Sequence, residues 1–221
     1  MKRPRAIVFD LDGTLADTRL DIAAACNHAL TSLGRAPRDV GEISRFVGDG
    51  ARVLMARALG LAPDDPVTAE ALTRFNAYYP QHAADHAAWM PGVREALEAC
   101  GDLPLAVVTN KPRSATVPLL DALGLAPHFR AVVAGGDGPL KPDPAPIRAA
   151  LEPLGVGPED AWMVGDGPQD IAAGRAAGAG TVAVLGGFGQ ESDLRGAGPD
   201  RVIPSLHGLA ALLRDEGRRT G

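Results

Sequence analysis

Ala6-Ile7-Val8-Phe9-Asp10-Leu11-Asp12-Gly13-Thr14-Leu15 is the stretch that decides the fold. Its first four residues are an unbroken apolar run, which reads as a strand of the parallel-sheet type, buried on both faces. Asp10 and Asp12 then stand where the strand ends and its loop begins. In open α/β sheets chemistry collects at the carboxyl ends of the strands, and Gly13 lets the backbone turn tightly there. Two acidic side chains one residue apart diverge on a continuing strand, but on a turning loop both can face one site. Such a pair suits a nucleophile beside a proton-transfer group, with a metal ion offsetting their mutual repulsion. An acidic turn without chemistry is the alternative that these residues alone leave open.

Downstream of the strand lies a long helical stretch, residues 17–88. Ile22, Cys26, Leu30 and Leu33 share one helical face, and Gly34 is placed to end that helix. A second helix is expected from Asp49-Gly50 to Gly60, with Leu54, Ala58 and Leu59 as its apolar side. A third is expected from Pro66 to Tyr79 around Leu72, Phe75 and Tyr79. No convincing strand interrupts the region. A βαβ crossover needs only about 30 residues, so this longer segment reads as a helical cap inserted between the first two strands. The expected domains are therefore a core of residues 1–16 and 89–221 and a cap of residues 17–88. Hinges are expected at 16–17 and 88–91.

From Pro91 the chain alternates helix and strand. The strands expected are 105–108, 131–134, 161–164, 181–185 and 201–203, and the helices between them end at Gly101, Gly124 and Gly155. This alternation argues an α/β fold, a Rossmann-like parallel sheet with helices on both faces. The tail from Arg214 to Gly221 is polar and expected to fray.

The other polar clusters fall at the ends of these strands. Thr109-Asn110-Lys111 follows the second strand, where a hydroxyl and backbone amides can bind phosphate oxygens, although helix capping alone would also account for Thr-Asn. After the third strand comes Gly135-Gly136-Asp137, then Lys141-Pro142-Asp143-Pro144. The chain has only three lysines, Lys2, Lys111 and Lys141. A lysine held between a glycine-rich loop and prolines can set a point charge on an anion, or can simply be a surface lysine. After the fourth strand, Asp166 and Asp170 stand four residues apart at a strand-to-helix junction in Gly165-Asp166-Gly167-Pro168-Gln169-Asp170. Hard divalent cations take oxygen ligands, and Mg²⁺ accepts one or two carboxylates plus waters. Asp170 would also suit the positive end of the helix. Carboxylates, a lysine and a hydroxyl converging from four strand ends make a phosphoryl-transfer site, where charge on three oxygens must be neutralised.

In these residues the chain resembles the haloacid dehalogenase superfamily, in its phosphatase branch with a helical cap. DLDGTL, Thr109-Asn110, Lys141 and GDGPQD stand in order as the four family motifs. Phe46 to Leu59, Val107 to Pro112 and Gly135 to Pro144 resemble the bacterial phosphoglycolate phosphatases. The resemblance implies that Asp10 attacks phosphorus and becomes an aspartyl phosphate. It implies that Asp12 protonates the leaving alcohol and then activates water. It implies Mg²⁺ as cofactor, held by the Asp10 carboxylate, the Asp12 carbonyl and Asp166, with Asp170 in support. Thr109, Asn110 and Lys141 would hold the phosphate. Gly167-Pro168-Gln169 departs from the serine and asparagine of many relatives, but both acidic positions are kept. The expected substrate is a small phosphate ester, 2-phosphoglycolate first. Other small metabolite phosphates and a sugar phosphomutase are the alternatives, the latter because Arg45, Arg52 and Arg57 could hold a second phosphate. Dehalogenases lack an aspartate at the Asp12 position. Phosphonatases need a cap lysine, and none stands between Lys2 and Lys111. A catalytically idle binding protein on this fold is the reading from another class.

In the cap, Val47 to Arg52 resembles the loop that closes over the site in relatives. Gly48 and Gly50 would allow close approach to a ligand, Asp49 would cap the following helix, and Arg52 would meet a substrate carboxylate. The remaining composition sets bounds. Formal net charge is −5 and pI about 5.5, which favours neither nucleic acid nor a membrane surface. No apolar run approaches the ~20 residues that span a bilayer, and the basic N-terminus lacks a signal-peptide core. A cytoplasmic enzyme, monomer or homodimer, is expected. Cys26 and Cys100 lie in apolar helical patterns and read as buried thiols. His82 and His86 are four apart but lack a third metal ligand of obvious spacing.

Overall fold

Strand β1, Ala6–Phe9, is the apolar run, and all four residues are buried. A computed structural model describes residues 1–219 of the chain, with Thr220 and Gly221 outside the described residues. Alternate side chains of β1 leave opposite faces of the sheet. Ile7 and Phe9 enter one apolar cluster, Ala6 and Val8 another. The same alternation holds in β4 (Leu105–Pro112), where Leu105 and Val107 oppose Ala106 and Val108. It holds again in β6 (Ala161–Gly165), where Trp162 and Val164 oppose Ala161 and Met163. Burial on both faces is why these strands read as continuous apolar runs.

With β5 (Ala131–Gly135), β7 (Gly180–Val184) and β8 (Arg201–Ile203), the sheet has six strands in the order β5-β4-β1-β6-β7-β8. Every pair is parallel. The chain runs outward from β1 through β4 to β5, then returns to the other side of β1 as β6. The order therefore reverses at β1, and the crevice beyond the carboxyl ends of β1, β4 and β6 is the place where such sheets bind ligands.

Four helices fill residues 17–88: α1 (Arg19–Ser32), α2 (Val40–Ser44), α3 (Ala51–Leu59) and α4 (Pro66–Tyr78). They share an apolar cluster that includes Ile22, Cys26, Leu30, Ile43, Met55 and Phe75. Helix α4 starts as its sequence dictates, with Asp65 accepting from the Val67 amide and Pro66 in the first turn. Helix α2 is short and is not visible in the apolar spacing, because only Ile43 of its five residues is buried. The stretch also begins and ends in a two-stranded antiparallel ribbon, β2 (Ala16–Asp17) with β3 (Ala88–Trp89). Two-residue strands carry no period, so the sequence reading found none there. Asp21 of α1 is buried and accepts the His86 amide at 3.0 Å, which ties the start of the helical stretch to its end.

Helices α5 (Val93–Cys100), α6 (Arg113–Ala122), α7 (Ala145–Leu151), α8 (Pro168–Ala177), α9 (Glu191–Gly196) and α10 (Leu209–Arg219) complete the chain. The polar tail expected to fray continues α10 as far as Arg219. Its first turns are anchored by Leu209 and Leu213 in the cluster under β1. Cys26 and Cys100 are buried free thiols, and burial pushes both up to about 12. Among the described residues no helix is long and apolar enough to cross a membrane.

Candidate active site

The carboxyl ends of β1, β4 and β6 meet the helical stretch across one cavity of about 470 Å³. That volume lies within the ordinary range of small-molecule sites. Asp10, Asp12, Thr109, Asn110, Lys111 and Asp166 line its sheet side, and Val47, Gly48, Gly50 and Leu54 line its helical side.

Asp10 ends β1 and is buried. Its Oδ1 accepts from Lys141 Nζ at 2.7 Å. The same ammonium donates to the Val108 carbonyl at 2.7 Å and stands 2.6 Å from Asp170 Oδ1. Two of its protons are thus directed at oxygens, Asp10 Oδ1 and the Val108 carbonyl. The Asp170 contact is an ion pair outside hydrogen-bond geometry, and Asp170 Oδ1 is the one buried side-chain oxygen without a hydrogen bond among the described residues. Asp170 Oδ2 accepts the Gly167 amide at 2.9 Å at the first turn of α8. Asp166 Oδ1 accepts from the Thr14 hydroxyl at 2.7 Å, and its Oδ2 accepts from the Phe188 and Gly189 amides at 2.7 and 3.4 Å.

The ligand atoms of Asp10, Asp166 and Asp170 all lie within 4.8 Å of one another. Three buried carboxylates therefore crowd together, and the Lys141 ammonium pairs with two of them, Asp10 and Asp170. Burial is the largest influence on Asp10, and with the charge of Asp170 it holds the Asp10 carboxyl well above its usual range in spite of Lys141. Burial, then Asp170, pushes Asp166 up to about 6. Burial opposes the charge on Lys141, but Asp10 and Asp170 outweigh it and hold the ammonium above its ordinary value. A cluster so short of positive charge fits a hard cation with oxygen ligands, and its span is close to the about 4.2 Å across an octahedral Mg²⁺ shell.

The Asp12 carboxylate is directed away from this trio. Its Oδ1 accepts from the Thr18 hydroxyl at 2.6 Å and from Lys111 Nζ at 2.8 Å. Of the four residues expected to hold metal, Asp12 is thus the one whose side chain is engaged elsewhere, leaving only its backbone carbonyl for that role. Lys111 is buried, hydrogen-bonds the Tyr79 hydroxyl and lies 4.5 Å from the Tyr79 ring centre. Sequence reasoning assigned no part to Lys111 and read Tyr79 only as packing. The available signal was that Lys111, one of three lysines, directly follows Thr109-Asn110. Phe188 was also missed, although the glycines around it at 186, 187 and 189 mark a loop whose backbone approaches a ligand or side chain closely.

Thr109 Oγ1 accepts the Lys111 amide at 3.1 Å, which leaves its proton free for a ligand. The Asn110 side chain is fully committed. Its Nδ2 donates to the Gly48 and Lys141 carbonyls at 2.8 and 2.9 Å, and its Oδ1 accepts the Lys141 amide at 2.8 Å. It clasps the helical loop to the sheet loops, so its side chain has no capacity left for phosphate. At Gly48 φ is +127°, and a Cβ would stand 2.7 Å from the Gln169 amide. At Gly50 φ is +88°, and a Cβ would stand 2.9 Å from Leu140 Cδ1. This loop is pressed onto the sheet loops, and Gln169, part of the departure in the fourth motif, is one surface it meets.

Two expectations about the loop are corrected. Asp49 does not cap α3. The cap position is Gly50, without a side-chain bond, and Asp49 accepts instead from Arg57 at 2.5 Å. Arg52 does not line the cavity, and its guanidinium donates to the Pro63 carbonyl at 3.2 Å. Ala51, Leu54 and Arg57 recur every three residues on the cavity face of α3, and Arg52 is rotated about 160° from Leu54 at the centre of that face. His82 Nδ1 pairs with Asp85 at 2.8 Å, and its ring stacks on Tyr78.

Comparison with known proteins places this geometry. The haloacid dehalogenase-like hydrolase family profile matches residues 7–184. The phosphoglycolate phosphatase of Chromobacterium violaceum is 37% identical over 97% of this chain and 99% of its own length. That of Rhodospirillum rubrum is 42% identical over 85% of this chain and 82% of its own. Among solved structures, a predicted phosphoglycolate phosphatase from Haemophilus somnus superposes with a TM-score of 0.86 at 29% identity, covering 96% of this chain and 99% of its own. CbbY from Rhodobacter sphaeroides, solved in complex with phosphate, superposes at 0.74 with 27% identity, over 93% of this chain and 96% of its own.

Proposed function

The chain belongs to the haloacid dehalogenase-like hydrolases and is a phosphatase, and from that premise we propose that it hydrolyses 2-phosphoglycolate through an aspartyl phosphate on Asp10. The observation that carries the reading is Asp12 facing the same cavity as Asp10. A phosphate ester needs a proton for its alkoxide, and a dehalogenation does not. The curated relatives supply the choice of ester.

Asp10 Oδ1 is held by Lys141, so Oδ2 is the attacking oxygen. It forms a bond to phosphorus in line with the ester oxygen, which leaves as the alcohol after taking a proton from Asp12. Asp12, now a carboxylate, takes a proton from water as that water attacks phosphorus. Free phosphate leaves, and both aspartates return to their first state. The Thr109 hydroxyl donates to a phosphate oxygen, and Lys141 steadies Asp10 and Asp170 together. Asp10, the Asp12 carbonyl, Asp166 and Asp170 would hold Mg²⁺, which when bound supplies positive charge to the phosphoryl oxygens. Residues 17–88 act as a cap that excludes water when the loop around Gly48 and Gly50 is seated. The enzyme works in the cytoplasm on a freely diffusing ester, as a monomer or homodimer.

The test is kcat/KM across a panel of small phosphate esters. 2-Phosphoglycolate is expected to stand at least about tenfold above sugar phosphates, a margin of roughly 1.4 kcal/mol in transition-state binding. A sugar phosphate or nucleotide at the head of the panel would replace the substrate and leave the chemistry in place.

A further inference from the structure

Three cations line the cavity: Lys111, Arg57 and Arg45. Two are committed. Lys111 is bonded to Asp12 and Tyr79. Arg57 donates to Asp49 at 2.5 Å and to the Phe46 carbonyl at 3.1 Å. Arg45 has no side-chain partner among the described residues. Asp193, the carboxylate of α9 that also lines the cavity, accepts from Ser192 and does not pair with it. The backbone at Arg45 is nevertheless fixed. Arg45 closes α2, and its amide donates to the Glu42 carbonyl at 3.2 Å. Two residues earlier, Ile43 is fully buried in the helical cluster. An anchored backbone thus presents a free guanidinium to a cavity whose sheet side is acidic.

We infer that Arg45 reads an anionic group on the leaving alcohol, the carboxylate in 2-phosphoglycolate, while the sheet loops hold the phosphate. The inference rests on the reading of the site as a phosphate monoesterase. A guanidinium meets a carboxylate in a planar, two-pronged geometry, and of the two at this cavity the Arg57 one is already bonded. The committed cations would have to give up existing partners to do the same. Arg45 is exposed in the free protein, so its charge is screened until a ligand and the seated loop exclude water. It therefore acts on selectivity among esters and leaves the reacting atoms untouched. It also takes the place that the sequence spacing assigned to Arg52.

The experiment compares 2-phosphoglycolate with ethyl phosphate, which has the same reach without the carboxylate, in the full-length protein with Mg²⁺. For Arg45→Gln, kcat/KM on 2-phosphoglycolate should fall roughly tenfold or more, the value of one charge-assisted contact. On ethyl phosphate it should stay within about twofold, which also shows that the variant is folded. In the wild type, the preference for 2-phosphoglycolate should shrink as salt rises. Arg45→Glu should shift the preference toward phosphoethanolamine, which carries a cation where the carboxylate stood. Equal losses on both esters, or a salt-independent preference, would overturn the role of Arg45 and leave the phosphatase reading intact. Wild-type protein that cleaves neither ester would overturn both.

Discussion

At Asp10 one carboxylate oxygen is taken by Lys141, 2.7 Å away, and the proposed mechanism uses the other to attack phosphorus. Asp10→Asn keeps the shape but removes the nucleophile and one of three clustered charges, so turnover should be abolished in a steady-state phosphate-release assay. Substantial residual activity would exclude the covalent route. Asp12→Asn keeps the backbone carbonyl and should cost about 10²-fold or more in kcat, as lost proton transfer does. The convergence of Asp10, Asp12, Asp166 and Asp170 at the carboxyl edge of the sheet was legible in the sequence, because each directly follows or closely trails a buried apolar strand. Single-residue roles were not legible where a side chain acts through a partner distant in the chain. Lys111 meets Tyr79 across 32 residues and Asp12 across 99, and no local pattern encodes such a meeting. Lys111→Met leaves Asp12 with Thr18 alone, and should lower kcat by about tenfold or more while Mg²⁺ binding is kept.

The elements were read from two periods, and they failed where the elements are too short to show one. Strands β1, β4, β6 and β7 each fill both faces of a buried sheet, so continuous apolar runs announce them. Helix α2 offers one buried residue and the ribbon β2–β3 two residues a side, which leaves nothing for a periodicity to catch. The loop before α3 was legible in part. Its glycines signalled close approach, but which arginine faces the cavity depends on helical phase, and phase cannot be set before the helix start is known to a residue. Gly50→Ala separates two costs at this loop. The Cβ would meet Leu140 Cδ1 at 2.9 Å, but that is the end of an exposed side chain that can swing away. The left-handed φ of +88° has no such relief. The variant should therefore lose about 1 kcal/mol, or roughly 2–4 °C in Tm, and raise KM by unseating the loop. Leu140→Ala in the same chain should restore little. Full rescue would move the strain from the backbone to the contact.

Across the whole molecule the site concentrates charge that the fold must bear. Asp10, Asp166 and Asp170 converge within 4.8 Å, and burial raises the first two, Asp166 to about 6. In the unfolded chain these groups titrate near 3.9. A carboxyl raised in the folded state binds its proton more tightly there. For Asp166 the contribution to stability is therefore fully present below pH about 4 and is lost as the pH rises through about 6. A divalent cation acts in the opposite sense, because it binds only the ionised cluster and competes with protons for it. Mg²⁺ should then raise Tm little at pH 5 and clearly at pH 7.5. At a hundredfold excess over Kd the gain is about 2.7 kcal/mol, which for a chain of this size is roughly 5–10 °C. Asp10→Asn removes one of the three crowded charges. It should raise the Tm of the metal-free protein at pH 7.5 and shrink the gain from Mg²⁺. Ca²⁺ should also raise Tm but support little turnover, since it prefers more ligands and looser geometry than three carboxylates and a lysine impose. Chelation should abolish phosphate release at every pH, and added Mg²⁺ should restore it. A Tm that ignores Mg²⁺ at pH 7.5, together with full activity under chelation, would mean that Lys141 alone balances the cluster and that the carboxylates are not a cation site.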